Sequence, residues 1–200
     1  MTMQILQSEH YKRMPWKNGG GETIEIIAFP VQASIEDFFW RISMASVATD
    51  GPFSTFANVD RTLCVLTGQS IRLKVDSEPS LLLTPASEPF RFPADVATYS
   101  ALPDGPITDL NIMTNRSMFD HSVVRLRDVT AIDISPDDNA ETLVLASGKC
   151  RVSGTGPELE AYDTVILSPG ETGITLQAEQ PLSFFVIRID PAGRVFTRPC

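Results

Sequence analysis

Residues 63–75 read Leu63-Cys64-Val65-Leu66-Thr67-Gly68-Gln69-Ser70-Ile71-Arg72-Leu73-Lys74-Val75. Leu63, Val65 and Thr67 alternate with Cys64 and Leu66 up to Gly68. Beyond the Gly68-Gln69 turn, Ile71, Leu73 and Val75 alternate with Arg72 and Lys74. Side chains two apart share one face of a strand, so the stretch reads as two strands about a tight turn. The same rhythm runs outward in both directions. Thr23 and Glu25 oppose Ile24, Ile26 and Ala28; Trp40, Ile42 and Met44 oppose Arg41, Ser43 and Ala45; Asp109 and Asn111 oppose Leu110 and Ile112. Leu182 to Ile189 is a further long strand candidate.

Turn signals separate these runs at short intervals: Asp50-Gly51-Pro52, Asp104-Gly105-Pro106, Ser135-Pro136-Asp137-Asp138, Ser147-Gly148 and Ser168-Pro169-Gly170. Short alternating runs between such turns predict an antiparallel sandwich or barrel. Only Val31–Phe39 and Arg116–Leu126 have room for a turn or two of helix, the first with Ser34 as N-cap and Asp37 three residues on. A weak internal repeat is also present. Val65-Leu66-Thr67-Gly68 is echoed by Leu145-Ala146-Ser147-Gly148, and Leu82-Leu83-Thr84-Pro85 by Ile166-Leu167-Ser168-Pro169. Read as structure, the repeat implies two similar β-barrel halves that divide between Asn115 and Asp137.

Composition narrows the function. Of 200 residues, 42% are hydrophobic and 20% charged, which excludes wholesale disorder. Sixteen Lys and Arg against 25 Asp and Glu leave a net charge of −9, so nucleic acid and anionic membrane surfaces are poor partners. No run approaches the roughly 20 apolar residues of a membrane span. Met1–Arg13 lacks the apolar core of a signal peptide, and three unspaced cysteines (Cys64, Cys150, Cys200) suit a reducing compartment, so the expected location is cytoplasmic. With only His10 and His121, one chain cannot supply a three-histidine metal site.

Three stretches can carry chemistry. In Arg13-Met14-Pro15-Trp16-Lys17-Asn18-Gly19-Gly20-Gly21, three consecutive glycines mark a place where side chains do not fit. This is either a turn with Trp16 closing one end of a barrel, or a loop whose bare amides approach a ligand beside Trp16, Lys17 and Asn18. It is not a phosphate-binding P-loop, because the Gly/Lys/Ser-Thr order is absent. Arg41 and Ser43 occupy one polar strand face, and Asp109 and Asn111 another. In a sandwich such faces meet water; in a small closed barrel they must be paired or bind something. Arg41 would then grip a carboxylate, with Asp109 fixing its guanidinium. Lastly, Asp50-Gly51-Pro52-Phe53-Ser54-Thr55-Phe56 reads as a turn leading into apolar anchors. Asp60-Arg61 reads as a structural ion pair, and His121 as a surface or capping residue. No Ser/His/Asp grouping, CxxC or HExxH is present.

Pro15-Trp16-Lys17-Asn18-Gly19-Gly20-Gly21 with Thr23 and Glu25, then Trp40-Arg41-Ile42-Ser43, Asp50-Gly51-Pro52-Phe53-Ser54, Val59-Asp60-Arg61 and Asp109-Leu110-Asn111 with Met113, resembles the signature of the HutD (Ves) family. One departure is Ile24, where the family favours arginine. The resemblance implies an all-β, cupin-like double-stranded β-helix with two β-barrel halves (a bicupin). It would be a single unit over 1–200, with approximate halves 1–115 and 116–200. Asp163–Gly170 resembles the second cupin motif without its metal-binding histidine. Family members are associated with histidine-utilisation genes and with small intermediates such as urocanate or formylglutamate.

The leading expectation is a bicupin without metal or other cofactor that binds a small carboxylate metabolite and regulates rather than catalyses. Its site would comprise Trp16, Lys17, Asn18, Gly19, Gly20, Thr23 and Glu25 from the first motif, with Arg41, Ser43, Arg61, Asp109 and Asn111. The rival is a cupin isomerase, hydrolase or oxygenase, with any metal held by Glu25, Asp109 and one histidine. A third reading is a protein-recognition module acting through its acidic surface. Exposed barrel edges also allow a homodimer.

Overall fold

In a computed structural model that describes residues 3–17 and 19–193, the Leu63–Val75 stretch forms two strands joined at Gly68. Gly68 has φ +90°, and a Cβ there would lie 2.6 Å from the Pro106 carbonyl oxygen, so the turn requires glycine. In chain order the strands are β1 (Gln4–Leu6), β2 (Lys12–Pro15), β3 (Gly21–Phe29), β4 (Trp40–Val47), β5 (Gly51–Pro52), β6 (Val59–Thr67), β7 (Ile71–Val75), β8 (Leu81–Leu83) and β9 (Phe90–Pro93). They continue as β10 (Thr98–Ala101), β11 (Ile107–Asn115), β12 (Phe119–Ile134), β13 (Glu141–Ala146), β14 (Cys150–Val152), β15 (Glu158–Leu159), β16 (Thr164–Leu167) and β17 (Ile174–Pro191). Among the described residues the only helical element is a 3-10 turn at Ser8–His10.

The strands make three antiparallel sheets. One is six-stranded, ordered β2-β3-β4-β11-β6-β9; one is four-stranded, ordered β5-β10-β7-β8. These two enclose an apolar interior that includes Val47, Leu63, Val65, Ile71, Leu73 and Phe92. The third sheet, β1-β16-β13-β17-β14-β15 with β12 on β17, curls around its own interior of Val144, Leu159, Val165, Leu167, Leu176 and Phe184. The back of the six-stranded sheet (Ile24, Ile42, Met44, Leu110, Ile112) packs against Leu143, Leu145, Phe185 and Ile187 of the third. Burying these side chains supplies the main driving force for the assembly.

Both sequence segments pair in the same order. In the first, β6 lies beside β9 and β11, while β7 lies beside β8 and β10. In the second, β13 lies beside β16 and the end of β17, while β14 lies beside β15 and the start of β17. The echo of Val65–Gly68 in Leu145–Gly148 therefore joins equivalent strands, β6 and β13. The second echo does not. Leu82-Leu83 is in β8, an edge beside β7, whereas Ile166-Leu167 is in β16, which pairs with β13 and matches β9 instead.

Neither expected helix forms. Ser34 closes one turn, with its Oγ accepting from Glu36 N (3.2 Å) and donating to Asp37 Oδ2 (2.7 Å), but Phe38 is then buried with Val59, Ala94 and Met113. Arg116–Leu126 is a turn followed by the first half of β12. His121 to Leu126 pairs residue by residue with Ile189 to Phe184 of β17, and that long-range ladder overrides local helical propensity. The β12–β17 ribbon bends near Asp128, which has φ +54° and adjoins two register shifts.

His121 is not a surface residue. It is 3% exposed, its Nε2 and Nδ1 each 2.7 Å from a threonine hydroxyl, Thr62 and Thr114. The Asp60–Arg61 ion pair is also absent, because neighbouring residues in a strand face opposite ways. Asp60 instead meets Arg91 (2.7 Å) and Arg116 (2.9 Å), and Arg91 also holds Asp120 and the His121 carbonyl. This network ties β6, β9 and β12 together. Cys64 and Cys150 are buried free thiols, and Cys200 lies outside the described residues. No helix among the described residues is long and apolar enough to cross a membrane.

Burial, followed by the Arg91 charge, pushes the His121 pKa down from 6.5 to about 4. The folded chain keeps this ring neutral while the unfolded chain protonates it, so its contribution is intact above pH 6.5 and is lost as pH falls toward 4. Denaturant unfolding across that window should show the wild-type chain losing on the order of 3 kcal/mol relative to His121→Gln. Parallel profiles for the two chains would contradict the burial of a neutral ring.

Candidate functional site

The concave face of the six-stranded sheet carries the polar residues singled out in the sequence, set in rows by strand register. Thr23, Ala45 and Asp109 are cross-strand neighbours on β3, β4 and β11; Glu25, Ser43 and Asn111 form the next row. Arg41 and Arg61, on β4 and β6, both pair with Met113 of the central strand. Cross-strand partners project from the same face, so antiparallel pairing alone gathers these groups from distant parts of the chain. All of them except Glu25 line a cleft of about 630 Å³, whose rim is completed by Trp16, Lys17 and residues of the Asp50–Phe56 segment.

β4 is buried on both faces. Trp40, Ile42 and Met44 enter the core between sheets, while Arg41, Ser43 and Ala45 face the cleft. Arg41 is 4% exposed, and its Nε donates to Glu25 Oε2 at 2.7 Å. Its Nη1 reaches Ser43 Oγ at 3.4 Å, and its Nη2 has no partner in the protein. The carboxylate that fixes this guanidinium is therefore Glu25, not Asp109, because the β3–β4 pairing sets Glu25 beside it. Glu25 itself is absent from the cleft lining and acts through Arg41.

Asp109 is 1% exposed and faces Arg61 electrostatically. Burial raises its pKa to about 7, against the opposing influence of Arg61, the hydrogen bond from Asn111 and one from the Ala45 backbone. Asn111 Nδ2 donates to Asp109 Oδ1 at 2.5 Å, leaving Asp109 Oδ2 and Asn111 Oδ1 without protein partners. The Arg61 guanidinium lies 5.1, 5.5 and 5.8 Å from the ring centres of Phe53, Phe56 and Phe92. Its Nη2 donates to Ser54 O and its Nε is unpartnered. Burial lowers its pKa to about 10, so it stays cationic at neutral pH. In the sequence Phe53 and Phe56 read as apolar anchors only. Their placement over a buried cation is set by the fold, though Asp50-Gly51-Pro52-Phe53-Ser54 was the visible signal.

The glycine loop does not offer its amides to the cleft. Gly19 and Gly20 are not among its lining residues, and Asn18 lies outside the described residues. Trp16 N donates to Gly21 O and Gly19 N to Trp16 O, closing the β2–β3 hairpin, while Gly20 O accepts from Ala48 N. A Cβ on Gly21 would fall 2.3 Å from Ser46 O and 3.0 Å from the Trp16 ring. The bare backbone therefore lets Trp16 fold onto the sheet, where its Nε1 donates to Thr23 Oγ1 at 2.8 Å. Lys17, exposed, stands at the mouth. Ile24 projects from the opposite face into the core between sheets, so its departure from the family pattern does not touch the cleft.

The metal-ligand set considered for an enzyme is not assembled. Glu25 is committed to Arg41, and His10 is exposed. His121 is bonded to Thr114, one residue from Met113 on β11 and so on the face opposite the cleft. Among the described residues no three His, Cys, Asp or Glu side chains form a cluster fit for a metal ion.

The sequence profile of the HutD family matches residues 8–185. The chain belongs to the HutD family. An uncharacterized 21.2 kDa protein in the hutC 3' region of Pseudomonas putida is 40% identical over 111 residues, 56% of this chain and 57% of that protein. Protein Ves of Citrobacter koseri is 39% identical over 109 residues, 52% of this chain and 56% of that one. The chain thus spans little more than half the length of the curated relatives it matches. The structure of HutD from Pseudomonas fluorescens SBW25 matches with a TM-score of 0.80 at 28% identity, over 96% of this chain and 100% of that chain. YhhW from Escherichia coli, at 8% identity, shares the fold alone (TM-score 0.67, 98% and 100% covered). The expected all-β, cupin-like fold is borne out.

For this HutD family member the buried Asp109 makes a second pH dependence, opposite in sign to that of His121. The folded state holds the Asp109 proton up to about pH 7, whereas the unfolded state releases it near 3.8, so stability is lost as pH rises between those values. Relative to Asp109→Asn, the wild-type chain should lose on the order of a few kcal/mol across that window. Unfolding profiles of the two that stay parallel would show an ordinary, solvated carboxylate.

Proposed function

We propose that this chain binds a small carboxylate in the cleft of the six-stranded sheet and serves histidine utilisation as a regulatory binding protein. The observation that carries the reading is the set of unpartnered buried polar atoms on one concave face: Arg41 Nη2, Arg61 Nε, Asp109 Oδ2 and Asn111 Oδ1. Buried polar atoms without partners are costly and rare, and they concentrate where a ligand supplies the missing bond. Two guanidiniums, one already half-neutralised by Glu25, favour a carboxylate over a more highly charged anion. Trp16, Phe53, Phe56 and Met113 provide apolar walls for a carbon skeleton.

The histidine-utilisation role is supported by HutD family membership and by the relative in the hutC 3' region. Urocanate and formylglutamate are the pathway carboxylates to test first. A second reading, an enzyme using Asp109 as acid or base, is favoured by the near-neutral pKa of that carboxyl within the cleft. Turnover of a bound carboxylate, lost in Asp109→Asn with binding retained, would select it.

Calorimetric titration with glutarate, urocanate and N-formylglutamate tests the binding reading. At least one should bind, and Arg41→Ala should weaken it by about 2 kcal/mol or more, roughly 30-fold. Arg61→Lys, which keeps the charge but not the planar fork, guards against a folding defect and should weaken binding less. Absence of heat with all three probes, or unchanged affinity in a folded Arg41→Ala chain, would overturn the proposal.

A further inference from the structure

The unpartnered atoms of the cleft are of two kinds. Arg41 Nη2 and Arg61 Nε are donors, whereas Asn111 Oδ1 is an acceptor at any pH and Asp109 Oδ2 is one above about pH 7, where that carboxyl is ionised. A plain carboxylate offers acceptors only. It would satisfy the arginines and leave both acceptors bare, with its charge facing Asp109. We infer that the cleft selects a ligand carrying an N–H or O–H donor along the chain from its carboxylate, such as an amide or a hydroxyl, and reads that donor with Asp109 and Asn111. The inference rests on the carboxylate-binding reading above and assigns the specificity that reading leaves open.

Three features support it. First, the Asn111 amide is oriented by its own bond to Asp109. Nδ2 must face the Asp109 oxygen, so Oδ1 is turned away as a fixed acceptor rather than a free rotor. Second, two other acceptors at the cleft are already engaged. Thr23 Oγ1 accepts from Trp16 Nε1 and Asp50 Oδ1 from Leu102 N, whereas Asp109 Oδ2 and Asn111 Oδ1 have no protein partner. Third, register separates the two functions. Both arginines flank Met113, while Asn111 and Asp109 stand two and four residues back along β11. At about 3.4 Å per residue their backbones lie roughly 7 and 14 Å from the arginine row, and the Arg41 guanidinium leans toward them, its Nη1 3.4 Å from Ser43 Oγ in the row of Asn111. A short ligand with its anion on the guanidiniums and its donor a few bonds away therefore reaches Asn111. Sites built to hydrogen-bond a polar group reject isosteres that lack it far more strongly than apolar pockets reject a missing methylene.

The test uses a matched pair of equal charge and nearly equal shape, N-acetyl-4-aminobutanoate and 6-oxoheptanoate, in which the N–H of the first is a CH₂ in the second. Glutarate is the donor-free reference. Calorimetry on the full chain, run well above pH 7 so that Asp109 is ionised, should show the amide binding at least about 10-fold tighter than the ketone. In Asn111→Ala that ratio should fall toward one, each ligand being compared with the other in the same variant. Equal affinity for the pair, or binding of glutarate with neither member, would overturn the donor inference and leave carboxylate binding standing. No binding of any of the three would remove the carboxylate reading as well. A preference unchanged in a folded Asn111→Ala chain would take Asn111 out of donor recognition and overturn the assignment.

Discussion

A guanidinium withdrawn from water is tolerable only beside a counter-charge, and Glu25 supplies it to Arg41 through Nε while Nη2 is left without a protein partner. Arg41 is nearly fully buried, and Glu25 reaches it because β3 and β4 pair with Glu25 beside Ser43, one row from Arg41. Without that neighbour the concave face of the six-stranded sheet would have to be apolar, as the interior of the other barrel is. With it, a row of polar side chains lies inside a closed barrel, with Arg61 answered in turn by Asp109 and by the faces of three phenylalanines. The cleft is a consequence of this neutralisation.

The contrast between the two barrels follows from side-chain choice on equivalent strands. Along β11, Asp109 and Asn111 face the cleft while Leu110 and Ile112 fill the core behind them. Along the corresponding end of β17, Phe184 fills the interior of its own barrel, while Phe185 and Ile187 pack against the six-stranded sheet. The second barrel is thus filled and braces the first, and the ladder of β12 on β17 carries the ionic network that joins them. A cup that must hold polar atoms short of partners needs such a rigid backing, because only a well-packed scaffold can keep unpaired groups from collapsing onto each other.

Much of this was legible in the sequence. Period-2 alternation placed β4, β7 and the polar faces of β4 and β11 correctly, since one buried face and a fixed pleat leave a local signature. What escaped depended on partners far away in the chain. His121 looks like a surface residue until β12 brings it between Thr62 and Thr114, and Arg116–Leu126 has helical potential until β17 pairs with it. The carboxylate beside Arg41 was assigned to Asp109 because both residues were singled out as polar-face residues. Register, which sequence alone does not specify, gave that place to Glu25. Of the two ways the triple glycine reads, the turn beside Trp16 is the one that forms: Gly21 is closely approached by Ser46 O and the Trp16 ring, while Gly19 meets nothing and instead takes a φ of +71°.

The central claim is that two buried arginines of one sheet face act together on an anion. The most direct measurement is a nitrogen–proton NMR titration of the arginine Nε–Hε groups with glutarate. The Arg41 and Arg61 resonances should move together along one saturable curve, while the exposed Arg13 and Arg72 stay still. Stationary Arg41 and Arg61 signals, with shifts confined to exposed arginines, would contradict it.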